Sequence, residues 1–252
     1  MANGVNTAEA GGRGGLGTVR NAVRLLELLG EGPAYQQLSD LAERSEMSLP
    51  TVHRLLRSLV LADLAVQDPQ SSRYGLGPEL TRLSAHYLTR LPLVGALAPY
   101  LSQLRDELGT TLYVMTLVRG EVVYVDRIDG PGAGPYRDTH RVHPALLTAG
   151  GRVLASRADD DAWAWALDLM DAEEREEAQA SREQWRQAEW LAVTPRDSTL
   201  DPEVAVPVLD GRGMTVAALS AAVARAPGEH DDQVAASLGR AARAAGRTLG
   251  HA

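Results

Sequence analysis

Ser48-Leu49-Pro50-Thr51-Val52-His53-Arg54-Leu55-Leu56-Arg57-Ser58-Leu59-Val60 is the stretch on which the reading of this chain turns. On a helical wheel of about 100° per residue, Val52, Leu55, Leu56 and Leu59 fall within one arc of about 100° and form a core face. Thr51, His53, Arg54, Arg57 and Ser58 take the opposite arc. They place two guanidinium forks, an imidazole and two hydroxyls on a rod about 10–12 Å across, a width the major groove of DNA accepts. Arginine bonds two acceptors of a guanine edge at once, while hydroxyls and free N–H groups at a helix start hold phosphates. The bland alternative is a solvated polar face, the usual fate of a charged helix surface.

The flanking sequence argues against the bland alternative. Thr18 to Leu29 reads as a first amphipathic helix, stopped by Gly30, Gly32 and Pro33. Leu38, Leu41 and Ala42 mark a second, of about two turns. A tight turn from Arg44 to Met47 follows, and Ser48 stands where it caps the third helix, with Pro50 in its first turn. Leu64 to Val66, the polar loop Asp68 to Ser72, and Arg73 to Leu76 then read as a short hairpin. Helix, turn, exposed helix and hairpin together make a winged helix-turn-helix, with Arg73 and Tyr74 on the wing in reach of the neighbouring phosphates. The candidate DNA-binding residues are Ser48, Thr51, His53, Arg54, Arg57, Ser58, Arg73 and Tyr74.

The chain has 252 residues, which predicts two domains of moderate size. Apolar residues make up 44% and charged residues 23%, enough for a packed core. There is no cysteine, and all 25 basic residues are arginine. Thiol nucleophiles, disulfides, thiolate metal sites, Schiff-base lysines and lysine-dependent phosphate loops are therefore excluded. Apolar runs fall well short of the roughly 20 residues of a membrane span, and 1–17, rich in glycine and alanine, has no apolar run to serve as a signal peptide. A cytoplasmic protein without membrane attachment is the expectation. Net charge is −8, but Met1 to Arg82 holds 8 arginines against 9 acids, so the acidity belongs to the second part. A near-neutral domain still binds DNA if its arginines share a face, because phosphate contacts respond to charge within about 10 Å.

The expected organisation is a disordered tail over 1–17, the winged domain over 18–77, a linker helix over 78–92 and a second domain over 93–252. In that second domain Leu93 to Leu108 is helical, and Thr111 to Val118 and Glu121 to Ile128 alternate as a hairpin across Arg119-Gly120. Thr148 to Ser156 reads as the start of another helix. An acidic helical stretch runs from Asp159 to Glu189, with tryptophans at 163, 165, 185 and 190 in or beside it. Val204 to Leu209 and Met214 to Val223 form a second hairpin, and a helix with Val234, Leu238, Ala241, Ala242, Ala245 and Leu249 on one face closes the chain.

Thr18-Val19 through Arg24-Leu25-Leu26-Glu27-Leu28-Leu29, Leu38-Ser39-Asp40-Leu41-Ala42, Thr51-Val52-His53-Arg54-Leu55-Leu56 and Arg73-Tyr74-Gly75-Leu76-Gly77 resemble the DNA-binding half of IclR-type transcriptional regulators. Leu108-Gly109-Thr110-Thr111 and Gly120-Glu121-Val122-Val123-Tyr124-Val125-Asp126-Arg127 are similar to the opening of that family's effector domain. The resemblance implies an α+β protein: a winged helix-turn-helix joined by a linker helix to a GAF-like antiparallel-sheet domain. It also implies a homodimer or homotetramer on a near-palindromic double-stranded operator, and repression relieved or tuned by a small organic effector. Where many members have Pro-Lys-Ser, this chain has Ser48-Leu49-Pro50, so one phosphate-reaching cation is missing.

For the effector, the resemblance points to Ala149, Gly150 and Ser220. Unpaired N–H groups at a helix start attract a carboxylate, and glycine lets it approach; close packing is an equally good reason for Gly150 and Gly151. Leu146 stands where the family has histidine, Ala222 where a second serine is common, and the strand that carries a cysteine in the family has none here. The expected ligand is a carboxylate or a more apolar acid, or there is none. His140 and His143, with Asp138, have the spacing of metal ligands on a helix but lie in a loop-to-strand region without a third clear ligand, so no metal or cofactor is expected. Asp129 to Pro135 is glycine-rich, but two prolines remove the donors a phosphate loop uses, and it reads as a surface connection. Two alternatives stay open: a second domain that only oligomerises, and an enzyme, for which no Gly-x-Ser-x-Gly or His-Glu-x-x-His motif speaks.

Overall fold

Leucines at helical spacing build the N-terminal half. In a computed structural model, which describes residues 10–133, 142–196, 200–223 and 231–249, α1 (Ala10–Gly30), α2 (Leu38–Ser45) and α3 (Leu49–Leu61) close around Leu25, Leu28, Leu41, Val52 and Leu56, each at most 1% exposed. Each such side chain contributes about 1.5–3 kcal/mol by leaving water. Glu46, left-handed at φ 56°, ends α2 by donating its N–H to the carbonyls of Ala42 and Glu43 and makes the tight turn into α3. The wing follows as β1 (Ala65–Gln67) paired antiparallel with β2 (Tyr74–Leu76). Gly77 closes it, since a Cβ there would meet the Asp63 carbonyl oxygen at 2.1 Å.

Two boundaries differ from the sequence expectation. α1 begins at Ala10 rather than Thr18. Glycines at 11, 12, 14 and 15 carry no apolar periodicity and cost about 1 kcal/mol each in helix propensity, so only the backbone continues the helix there. The expected linker helix is α4 (Glu79–Thr89), and Pro92 opens α5 (Pro92–Leu108). The chain divides into two compact units at Tyr87/Leu88, inside α4.

The second unit is a six-stranded antiparallel sheet in the order β5-β4-β3-β8-β7-β6, formed by β3 (Leu112–Val118), β4 (Glu121–Ile128), β5 (Val142–Pro144), β6 (Leu191–Val193), β7 (Glu203–Leu209) and β8 (Thr215–Ala222). Period-two alternation assigns its faces. Leu112, Val114, Val204, Val206, Val208, Leu219 and Ala221 face α5 and α9 (Asp231–Leu249). Tyr113, Met115, Ala205 and Ala218 face the other way, onto α6 (Ala149–Arg157) and, beyond it, α7 (Asp160–Asp168) and α8 (Ala172–Gln187). The acidic stretch expected to be helical from Asp159 to Glu189 is thus two helices. Met170 turns into the core between them, and Asp171 starts α8 through a capping box with Glu174. The architecture is α+β, with a helical N-terminal helix-turn-helix and a C-terminal antiparallel sheet. No described helix is long and apolar enough to cross a membrane.

Candidate nucleic-acid interface and effector cavity

α3 buries Val52, Leu55, Leu56 and Leu59 and turns His53, Arg54, Arg57 and Ser58 to solvent, with Thr51 half-buried at its start. Among the described residues the ion pairs of this unit are Arg24–Glu27, Arg44–Glu31 and Arg82–Glu79, which leaves Arg20, Arg54, Arg57 and Arg73 without one. A guanidinium with no internal carboxylate keeps its forked donors for an outside acceptor. Arg20 joins this set unforeseen; its position on α1 gave no signal apart from exposure.

Ser48 holds the N-cap position with extended backbone, but its hydroxyl caps nothing; it bonds the Thr51 hydroxyl at 2.9 Å. The expected side-chain cap is therefore corrected, and Pro50 and the Ser48 carbonyl start the helix instead. Ser58 returns its hydroxyl to the Arg54 carbonyl at 3.1 Å. On the wing, Asp68 accepts from the hydroxyl and N–H of Ser71 and from the N–H of Gln70, and these bonds, the hydroxyl foremost, hold its carboxyl below the usual range. Arg73 is exposed beside that loop. Tyr74 is not available: it is 4% exposed, within the leucine core, and its backbone pairs with Gln36 in both directions at 2.8 Å. Its assignment as a DNA contact fails because its ring packs into the leucine cluster of α1, α2 and α3.

In the second unit, Thr148 caps α6 by accepting from the Gly151 N–H at 2.9 Å. Both glycines have packing reasons: a Cβ on Gly150 would lie 2.5 Å from Met115 Sδ, and one on Gly151 would lie 2.0 Å from the Ala145 carbonyl oxygen. The α6 start and Ser220 do converge, but on a side chain the sequence reading passed over. Glu203 Oε1 accepts from the Gly150 N–H at 3.0 Å, and Oε2 accepts from the Ser220 hydroxyl at 2.9 Å. Burial pushes this carboxyl up to about 7, against the pull of the Gly150, Ser220 and Ala149 donors. With both donors engaged by Glu203, neither the Gly150 N–H nor the Ser220 hydroxyl is left to receive an outside carboxylate. The signal for Glu203 was its register: residues 203, 205 and 207 share the inward face of β7.

Beside this cradle lies a cavity of about 390 Å³ lined by Leu146, Met170, Trp185, Val193, Arg152 and Arg196, with Glu174 and Glu177 also on its wall. Trp185 and Trp163 are buried, whereas Trp165 is half exposed. His143, on β5, meets Tyr124 edge-on at 5.9 Å; Asp138 and His140 lie outside the described residues, among which no cluster of metal-binding side chains occurs. In the glycine-rich loop, the Gly130 N–H donates to Thr111 at 3.1 Å and Asp129 pairs with Arg127 at 2.8 Å, so both groups serve the fold; 134 and 135 lie outside the described residues.

Residues 18–69 match the model of the IclR helix-turn-helix domain. The Pca regulon regulatory protein of Pseudomonas putida is 24% identical over 220 residues, covering 81% of this chain and 72% of that protein. Seven further curated regulators match over only 41–55% of their own length. Among solved structures, an IclR family transcriptional regulator from Brucella abortus superposes with a TM-score of 0.79 at 18% identity, covering 98% of this chain and 96% of that one. An IclR homologue from Microbacterium hydrocarbonoxydans, complexed with 4-hydroxybenzoate, gives 0.68 at 19% identity over 93% and 100% of the two chains. These likenesses show the fold of both units, and the match over 18–69 identifies the N-terminal unit as similar to the IclR helix-turn-helix domain.

Proposed function

We propose that this regulator is a cytoplasmic repressor that binds a near-palindromic operator as a homodimer or homotetramer, and that a small organic acid in the second unit tunes its DNA affinity. The observation that carries the reading is the outer face of α3, where Arg54 and Arg57 stand exposed without an ion pair among the described residues. Two copies of α3 would occupy successive major grooves, with Arg54 and Arg57 on base edges, Ser48, Thr51, His53 and Ser58 near phosphates, and Arg73 on the adjoining backbone. The cavity against α6 supports the effector half of the proposal, as does the 4-hydroxybenzoate held by the Microbacterium homologue. Ligand and operator affinities are then linked reciprocally.

Titration of the full chain against genomic operator fragments tests this reading. Arg54→Ala is expected to cost about 1–3 kcal/mol of specific binding and to relax base preference, and unchanged affinity and preference would overturn it. A second reading, in which the C-terminal unit only assembles the oligomer, is favoured by one observation: the protein's own Glu203 fills the α6 cradle. A ligand that shifts operator affinity decides between them.

A further inference from the structure

Among the described residues, six arginines of the second unit lie on or against the α6–α8 layer; Arg175 pairs with Asp168 and Arg196 with Glu173, and the other four are used differently. Arg157 donates to the Val153 carbonyl at 3.0 Å and to the Ala188 carbonyl. Arg182 stacks on Trp163 at 4.8 Å and is pinned by Asp160 at 2.8 Å and the Ala158 carbonyl at 3.1 Å. Arg186 donates Nε to the Ser156 carbonyl at 2.9 Å. Arg152 also lies over an indole, Trp185, at 4.6 Å, and it spends only Nε, on the Leu146 carbonyl at 2.8 Å. Among the described residues no carboxylate pairs with it; Glu177 and Glu174 act on it only through space, and burial opposes its charge. Its two terminal nitrogens therefore belong to a stacked, oriented fork on the wall of the 390 Å³ cavity.

The neighbouring anion seat is taken. The Gly150 N–H and the Ser220 hydroxyl, the donors that would greet a ligand carboxylate at the start of α6, both bind Glu203. We infer that the effector's carboxylate seats on Arg152 against Trp185, outside the α6 cradle, and that the ligand is a monocarboxylic acid with a flat apolar body. The body lies among Leu146, Met170, Val193 and Ala178. Glu174 and Glu177 on the same wall select against a second negative charge. Arg152 fixes the acid's orientation, and the Glu203 carboxyl, by occupying the Gly150 N–H and the Ser220 hydroxyl, keeps the cradle closed to it.

This inference rests on the proposal that the second unit binds an effector, and calorimetry on the full-length protein separates the two. The probes are benzoate, the neutral benzamide and the dianion phthalate. Benzoate is expected to bind at least about tenfold more tightly than either of the others. Arg152→Gln should remove that preference, Arg152→Lys should restore part of it, and Ser220→Ala should change benzoate affinity by less than about threefold. Thermal melting of each variant shows that it is folded. Benzoate binding that survives Arg152→Gln but is lost in Ser220→Ala overturns the Arg152 seat and leaves the effector role standing. Binding through Arg152 with no change in operator affinity keeps the seat and overturns the effector role. No heat with any of the three probes overturns the ligand class.

Discussion

The starts of α3 and α6 are built from a similar part, a hydroxyl residue with extended backbone at the N-cap position. At α3 the Ser48 hydroxyl leaves the backbone alone, and the arginines that follow have no acid to pair with among the described residues. At α6 Thr148 caps Gly151, and Glu203 takes the Gly150 N–H from below. One helix start is left open and the other is satisfied from within. The open one is the proposed seat of an external polyanion. Where the protein supplies its own carboxyl, as Glu203 does, the proposed seat for an outside acid is the Arg152 fork, of which only Nε is engaged.

The largest expected effect tests the closed side. Between about pH 4.5 and 7 the folded unit holds the Glu203 proton more firmly than the unfolded chain does. Stability therefore falls as pH rises through that window, by up to about 3 kcal/mol, and levels off above it. Glu203→Gln should remove this component in denaturant titrations at pH 5 and pH 8; an identical pH dependence in the variant would mean that the carboxyl is not held as described. On the open side, Arg54→Ala costs operator binding about 1–3 kcal/mol with stability almost unchanged, a separation that melting and anisotropy measured together will expose. Arg73→Ala on the wing should weaken all DNA sequences alike and lower the salt slope by about one, read from binding at several salt concentrations. The smallest effects compare the caps directly. Thr148→Ala should destabilise its unit by about 1 kcal/mol, whereas Ser48→Ala should cost only a few tenths, because its hydroxyl holds no backbone donor. Equal losses in thermal unfolding would erase the contrast.

The open side was the more legible in the sequence. α3 declares its faces because a period of 3.6 residues separates four buried positions from five polar ones within a single stretch. Tyr74 misled because a strand of three residues offers too few positions to fix which side faces the core, and its partner Gln36 is remote in sequence. β5 and β6 escaped notice for the same reason, being three residues each. Glu203 was hidden more deeply. A charged residue at the edge of an apolar strand reads as the end of that strand, and its role appears only when Gly150, 53 residues before it, and Ser220, 17 after it, are folded against it. The fork of Arg152 is oriented by Trp185 stacked against it, a tertiary pairing that local periodicity does not reveal. Local periodicity carries the first kind of site, and tertiary pairing carries the second.

A chain without lysine allows one direct test of the central claim that the outer face of α3 meets DNA. Arginine-selective labelling with phenylglyoxal, read by mass spectrometry, is applied to the full-length protein with and without the duplex recovered by selecting genomic fragments on it. Arg54, Arg57 and Arg73 are predicted to be protected by the duplex, while Arg212, on the exposed turn between β7 and β8, is labelled equally in both states. Equal labelling of Arg54 and Arg57 with DNA bound would contradict the account.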